Sequence, residues 1–380
     1  MKVRIPEYYN EFKCIAGECT DTCCAGWQVD VDDRSYAYYK TIQGEFGDRL
    51  HSVMVDGKKG CEGQFKIRPD GRCPFLNDHN LCDLYAELGE EALCKTCDEY
   101  PRFTTEYGNL KEIGLALSCK TAAELILQDR GKPSFIVYED SDSYPSLNNI
   151  DGNLYLQLNK ARSAAIELVC NRKFSIPERL LMLLDFGKRL QKNIKKPEKF
   201  NEIIAKMLPR GRKLVKHTKP MKDATTINMY RCLWHLYLRR PLIEPELANY
   251  RKMAEEELFT RENVKHTEMA YHLFYTGKIY EYENILVYFI YRYFLKGCID
   301  KDVLSKVKLI IINTLMIIHC DMALWMKKDF DITTEDQIEI VHLISREVEH
   351  SEEKLAGLYR NFKYNPVFSV KVLKKFLPVS

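Results

Sequence analysis

Cys14-Ile15-Ala16-Gly17-Glu18-Cys19-Thr20-Asp21-Thr22-Cys23-Cys24-Ala25-Gly26-Trp27 is the stretch on which the reading of this chain turns, because it packs four thiols into one short segment. Cys61, Cys73, Cys82, Cys94, Cys97 and Cys119 follow, so ten of the fourteen cysteines lie in the first 119 residues. Thiols at this density either cross-link one another or hold metal, and the redox compartment decides which. The N-terminus, MKVRIPEYYNEF, has no uninterrupted apolar run and no small-residue cleavage site. The expectation is therefore a cytoplasmic protein whose clustered thiols bind metal. Cys170, Cys232, Cys298 and Cys320 are scattered and read as small buried hydrophobes. Cys61, between glycines, stays undecided, and His79 reads as a loop histidine.

Around this stretch the composition changes near residue 130. Before it, Gly, Pro and Cys punctuate short pieces. Phe65 to Arg68, followed by Asp70-Gly71, reads as a strand entering a turn, and Asp83 to Leu93 and Cys119 to Leu127 carry helical spacing. Residues 131–152 are polar, with two prolines and several turn formers, and read as a linker. Beyond them nearly everything is helical. Ser175-x-x-Glu178 with Pro177 is a capping box, and Thr334-x-x-Gln337 is expected to open a helix carrying Ile338, Val341, Leu343, Ile344 and Val348. The predicted fold class is mixed: a cysteine-rich, metal-binding α+β N-terminal domain over 1–130, the linker, and a mostly α-helical domain over 153–380. No strand–G-x-G-x-x-G–helix pattern occurs, so no Rossmann domain is expected.

Several function classes are disfavoured. The apolar run Leu309 to Ile318 is too short to span a membrane, and Ile285 to Leu295 carries Arg292; both read as buried helices. From Lys188 to Lys222 there are thirteen Lys or Arg against two Glu, but no interleaved aromatics offer a stacking platform, so a solvated face is favoured over nucleic-acid binding.

The thiol spacing limits the metal. Zinc sites usually come as two close ligand pairs, and here only Cys94-x2-Cys97 fits. Neighbouring Cys23 and Cys24 converge poorly on one small tetrahedron, whereas an iron–sulfur cluster accepts four thiolates at variable spacing. A radical-SAM loop is absent, since its third cysteine would fall at Gly26.

The opening stretch through Val29-Asp30 resembles the start of the flagellin lysine-N-methylase family. Cys73-Pro-Phe-Leu76, Leu81-Cys82 and Cys94-Lys-Thr-Cys97-Asp-Glu-Tyr100-Pro101-Arg102 are similar to its second block, Ser118-Cys119 to its third, and Glu283-Asn284 through Tyr288 to a helical Glu-Asn motif. The resemblance implies methyl transfer from S-adenosylmethionine to lysines of flagellin or another protein substrate, with a [4Fe-4S] cluster. The motif cysteines it carries over are Cys14, Cys19, Cys23, Cys24, Cys73, Cys82, Cys97 and Cys119, more than one cluster needs, so some are structural or form a second site. Cys94 ranks lower.

Such chemistry requires a neutral amine, although a free lysine titrates near 10.4. Carboxylate and phenol groups can orient the amine, and π-faces favour a sulfonium. Near the cysteine blocks Trp27, Asp30, Asp98, Glu99 and Tyr100 qualify, with Glu283 from the helical motif. The resemblance makes Asp30, Tyr100 and Glu283 the expected catalytic groups, and Trp27 and Arg102 the expected contacts to S-adenosylmethionine. Each has a plainer reading: Trp27 plugging a core, or Asp30 or Asp32 capping a helix. With no Rossmann pocket, one expectation is that the methyl donor chelates an open iron. The alternative to an enzyme is a non-catalytic zinc or iron–sulfur module that binds a protein partner.

Overall fold

A computed structural model describes residues 1–27, 29–57, 62–141, 150–239, 244–260 and 264–377. Cys61 lies outside them. Two small sheets occupy the N-terminal third. Strands β1 (Lys2–Pro6), β5 (Arg102–Tyr107), β6 (Leu110–Leu115) and β7 (Phe135–Glu139) form one sheet in the order β5-β6-β1-β7. β1 runs parallel to β6 and antiparallel to β7. Strands β2 (Asp30–Val31), β3 (Met54–Asp56) and β4 (Gly63–Phe65) form the second, in the order β2-β4-β3. Neither is the doubly wound parallel sheet of a Rossmann domain, as expected. β7 lies within 131–152, so part of the stretch read as a linker is the edge strand paired with the N-terminus.

Most sequence-predicted elements are present with shifted ends. The strand expected from Phe65 begins earlier, at Gly63, and Arg68 to Gly71 is already a turn, closed by Gly71 N donating to Arg68 O at 2.9 Å. The helix from Asp83 stops at Leu88 because Gly89 turns out at φ +84°. Asp32, not Asp30, caps the helix Asp33–Tyr39, accepting from Ser35 N. The Ser175/Glu178 box stands as read. The later box sits one residue upstream of its expected place: Thr333 is the cap and Asp336 its return partner. Thr334 lies inside the helix, where its hydroxyl donates to Glu281 at 3.0 Å.

Two cores result. A small one gathers Val29, Tyr39, Phe65, Phe75, Leu76 and Leu84 with Cys73 and Cys94, and Cys24, Cys82 and Cys97 pack against it. The large one is helical and also takes in Phe12, Tyr107, Leu115 and the helix Lys120–Gln128. At its centre runs Val303–Lys327, started by Asp302 accepting from Ser305 N. By length and composition this helix could cross a membrane, but its apolar window is wholly buried among other helices. The segments Leu309–Ile318 and Ile285–Leu295 are buried, as read.

Two further helices link the large core to the N-terminal third. The motif helix Ile279–Tyr293 lies against the central helix and against Lys120–Gln128. The helix Thr334–Glu349, here the seam helix, also packs on Lys120–Gln128.

Candidate functional site

The segment Cys23 to Gly26 is held from two sides. On one, Cys73 N donates to Cys24 O at 2.7 Å and Gly26 N to Gly71 O at 2.9 Å, flanking a bridge between Ala25 and Arg72. On the other stands Arg346 of the seam helix. Its guanidinium donates to Ala25 O at 2.6 Å and to Asp21 Oδ2 at 2.7 Å, and its Nε pairs with Glu244 Oε1 at 2.7 Å. His342 Nε2 lies 2.7 Å from the same Asp21 oxygen. Gly26, at φ +84°, passes so close that an added Cβ would stand 2.7 Å from Arg346 Nη2. The positive φ favours glycine, and an added Cβ would have to displace the end of the guanidinium.

Around this point the titrations separate. Burial would raise Asp21, yet the hydrogen bond from His342 and the charges of His342 and Arg346 hold it down to about 2. Burial dominates at Glu244 and pushes it up to about 7 despite the adjacent Arg346. Two carboxylates sharing one guanidinium thus differ in proton affinity, an arrangement that separates a fixed anion from a proton acceptor.

One step along the chain, three rings converge. Trp27 lies 4.7 Å from His350 and 5.8 Å from Tyr100, centroid to centroid, and Tyr100 meets His350 edge-on at 5.7 Å. The Trp27 indole donates to Cys23 O at 2.7 Å. Tyr100 donates to Ser118 O at 2.8 Å, and His350 Nε2 is 3.0 Å from Ser118 Oγ. His350 Nδ1 is sealed without a protein partner. Burial, reinforced by Arg346 and Arg292, lowers His350 to about 3, and burial keeps the Tyr100 phenol protonated. Ser118 precedes Cys119, so the ring cluster lies between the backbone of Cys23 and that of Cys119.

The helical motif holds this seam together. Asn284 Nδ2 donates to Ile126 O at 3.0 Å and Asp129 O at 2.6 Å, satisfying carbonyls at the end of Lys120–Gln128. Tyr288 OH accepts from Leu117 N at 3.3 Å and donates to buried Glu349 at 2.9 Å. Glu283 does not join the rings. It receives Arg172 and Arg179, each at 2.8 Å, and fastens the junction of helices Gly152–Val169 and Ile176–Lys192. Asp30 is exposed, its carboxylate taking Gln64 Nε2 at 2.6 Å. The Arg102 guanidinium lies 5.5 Å from the Phe12 ring centroid. Of the five residues expected to catalyse or to contact the methyl donor, the structure brings Trp27 and Tyr100 together.

The thiols fall into two sets. Cys23 is raised by its hydrogen bond with Cys24, then by burial and by the charges of Cys24, Cys14 and Cys119, and Cys119 is pushed up to about 11 by burial and then by Cys19 and Cys14. Cys73 is pushed up to about 12 by burial and then by Cys24, Cys82 and Cys94. Cys97 is raised by its hydrogen bond with Cys94, at 3.6 Å between sulfurs, and further by burial and by the charges of Cys94, Cys24 and Cys73. The sets meet where the Cys23 thiol hydrogen-bonds Cys24 and lowers it to about 7. None of the described thiols is disulfide-bonded. Among the described residues no three His, Cys, Asp or Glu side chains close tightly enough to grip a single ion. Thiols are the donor type that an iron–sulfur cluster takes.

Reading the sequence missed His350, Arg346 and Glu244. His342, Arg346 and His350 recur every fourth residue along one helix, a polar stripe within an apolar pattern that could have marked the seam face.

Comparison with known proteins gives consistent findings. The model of the FliB lysine N-methylase C-terminal domain matches residues 162–376. The chain is similar to the lysine-N-methylase of Salmonella typhimurium, 30% identical over 130 residues, which is 33% of this chain and 32% of that protein. It is also similar to the flagellar biosynthetic protein FliU of Salmonella muenchen, 29% identical over 130 residues, covering 33% of this chain and 76% of that one. The chain thus spans about a third of the length of the first of these relatives. No solved structure matches.

Proposed function

The chain belongs to the FliB lysine N-methylase family, and from that premise we propose that it transfers methyl groups from S-adenosylmethionine to lysines of flagellin at the seam between its cysteine-rich and helical parts. The observation that carries this reading is the convergence of Trp27, Tyr100 and His350 beside Cys23 and Cys119. There the family-matched helix meets the thiol-bearing loop.

In this reaction the lysine nitrogen attacks the sulfonium methyl, the carbon–sulfur bond breaks, and the thioether leaves with the bonding pair. The nitrogen's surplus proton must go to an acceptor. Aromatic faces favour cations by about 0.5–2 kcal/mol, so the Trp27 face suits the sulfonium or the ammonium. Glu244, held near 7, is poised to take the proton at neutral pH. His350 stays neutral and Tyr100 protonated, so neither adds a charge that would repel either cation. A [4Fe-4S] cluster on the N-terminal thiols would supply a Lewis-acidic anchor beside this seam. Reduced thiols go with a cytoplasmic setting.

The test is transfer of a labelled methyl group. Protein purified without oxygen, incubated with methyl-labelled S-adenosylmethionine and flagellin from the same organism, is expected to label flagellin lysines. No transfer by a metal-loaded preparation would reject the reading.

A further inference from the structure

We infer that the basic face built by residues 188–222, with the helix Met207–His217 at its middle, docks an acidic stretch of the protein substrate. This rests on the reading that the chain acts on a protein, and it concerns where that protein is held rather than how it is methylated.

The chain as a whole is nearly balanced, with 57 basic against 54 acidic side chains. Residues 188–222 hold thirteen Lys or Arg against two Glu, which leaves forty-four against fifty-two elsewhere. One short segment therefore carries a surplus of eleven positive charges on a molecule that is otherwise acidic. Little of it is neutralised. Lys206 pairs with Glu202 at 2.6 Å and Arg210 with Asp185 at 2.9 Å, and the other eleven cations make no ion pair among the described residues. Asp185 is itself shared with Lys374, at 2.6 Å.

The helix Met207–His217 turns these charges outward. Met207, Leu208, Gly211, Leu214 and Val215 form one side, buried or half-buried. Gly211 is pressed so closely on the helix Ile176–Lys192 that an added Cβ would stand 2.7 Å from Met182 Sδ. Arg210, Arg212, Lys213, Lys216 and His217 occupy the exposed side, and no acid interrupts them. Lys206 and Arg210, Arg212 and Lys216, and Lys213 and Lys216 thus stand one turn apart with like charge, a spacing that destabilises a helix. An ordinary solvated face in the same protein is built otherwise. Along Leu247–Glu257, Arg251 meets Glu255 at 3.0 Å and Lys252 meets Glu256 at 3.8 Å. Repulsion left standing on one helix and cancelled on the other points to a polyanion that completes the first.

The same face selects among polyanions. No large apolar side chain is exposed within 188–222, so nothing there can insert into lipid. Phe200, its only Phe, Tyr or Trp, is buried, so bases find no ring to stack on. Ten of the thirteen cations are lysines, point charges rather than the forked guanidinium that suits phosphate. Protein carboxylates fit these cations, and the proposed reaction brings a protein to this chain. The helix is about 16 Å long, a span covered by an extended acidic run of about five residues.

The experiment measures binding and needs no catalysis. Anisotropy of labelled oligoglutamate and of labelled duplex DNA, and co-sedimentation with phosphatidylserine vesicles, are measured for the full-length wild type, K213E/K216E and R251E/K252E. The last changes net charge equally, but on the ion-paired helix, and circular dichroism checks the fold of each. Wild type and R251E/K252E should bind oligoglutamate with an affinity that falls as salt rises. K213E/K216E should bind it roughly ten-fold more weakly, and initial rates against flagellin should show its KM raised with kcat unchanged. The docking face is overturned if wild type does not bind oligoglutamate, if both variants weaken binding equally, or if KM does not change. Tighter binding of DNA or vesicles, lost in K213E/K216E, would also overturn it. Absence of methyl transfer by the wild type would reject the methylase reading alone, and the oligoglutamate result would still decide the face.

Discussion

The small core around Phe65 and Phe75 and the large core around the central helix solve the same problem with different means. The helical part buries whole faces of long helices: Leu309 to Ile312 and Met316 to Ile317 are entirely inaccessible to solvent. Packing of that kind needs no other source of stability. The small core has two- and three-residue strands and short helices, and two thiols, Cys73 and Cys94, fill buried positions in it. A unit so poor in apolar area draws on ligation or on its neighbour. Between the two lies the seam, where Arg346, Asn284 and Tyr288 fasten thiol-bearing backbone to self-sufficient helices. A rigid helical frame thereby positions loops that could not position themselves.

The largest expected effect sets the two regions against each other. If the N-terminal thiols hold metal, as proposed, removing it anaerobically with a chelator should unfold the cysteine-rich part while the helices persist. Hydrogen exchange should then show lost protection around 29–97 and retained protection across Val303–Lys327. Uniform loss throughout would mean the regions share one fate. Next comes the fastening itself. Arg346 is buried between Asp21 and Glu244, and Arg346→Ala would strand two carboxylates, costing about 3–5 kcal/mol. Denaturant unfolding should reveal that loss, and an unchanged midpoint would show that Arg346 fastens nothing. A smaller loss is expected from Gly26→Ala. Strain at φ +84° together with the close approach to Arg346 should cost about 1–3 kcal/mol. A neutral result would show that the loop shifts freely.

A separate effect is in pH dependence. Glu244 is raised in the folded protein, so the stability linked to it is fully present below about 4.3, the value of a free glutamate, and is lost as pH rises through about 7. His350 is depressed to about 3, so its contribution runs the other way, lost as pH falls from about 6.5. Subtracting the stability curve of Glu244→Gln from that of the wild type should isolate a decline between these two glutamate values. A flat difference would place Glu244 in a solvated site.

Much of the architecture was legible in the sequence because its causes are local. Helical periodicity announced the helices of the large core, and Ser175 with Glu178 announced a helix start. The Thr333 cap was misplaced by one residue because Thr333 and Thr334 offer the same hydroxyl, and only the backbone decides which one leaves the helix. Of the candidate site, Trp27 and Tyr100 were visible through their nearness to cysteines. Glu283 was singled out by its motif, but two arginines from other helices occupy it. His350 and Arg346 could not be found by proximity in sequence, since more than two hundred residues separate them from the Ser118 hydroxyl and the Ala25 carbonyl they hold.

If the seam does the chemistry, two variants on either side of it should part company. Initial rates of methyl transfer to flagellin are measured for Trp27→Ala, in the ring cluster, and for Asp30→Asn, on the exposed strand, each with metal content confirmed. Trp27→Ala is expected to lower kcat/KM by roughly three- to thirty-fold, the equivalent of a lost cation–π contact, while Asp30→Asn leaves it unchanged. Full activity in Trp27→Ala, with activity lost in Asp30→Asn, would contradict a catalytic seam.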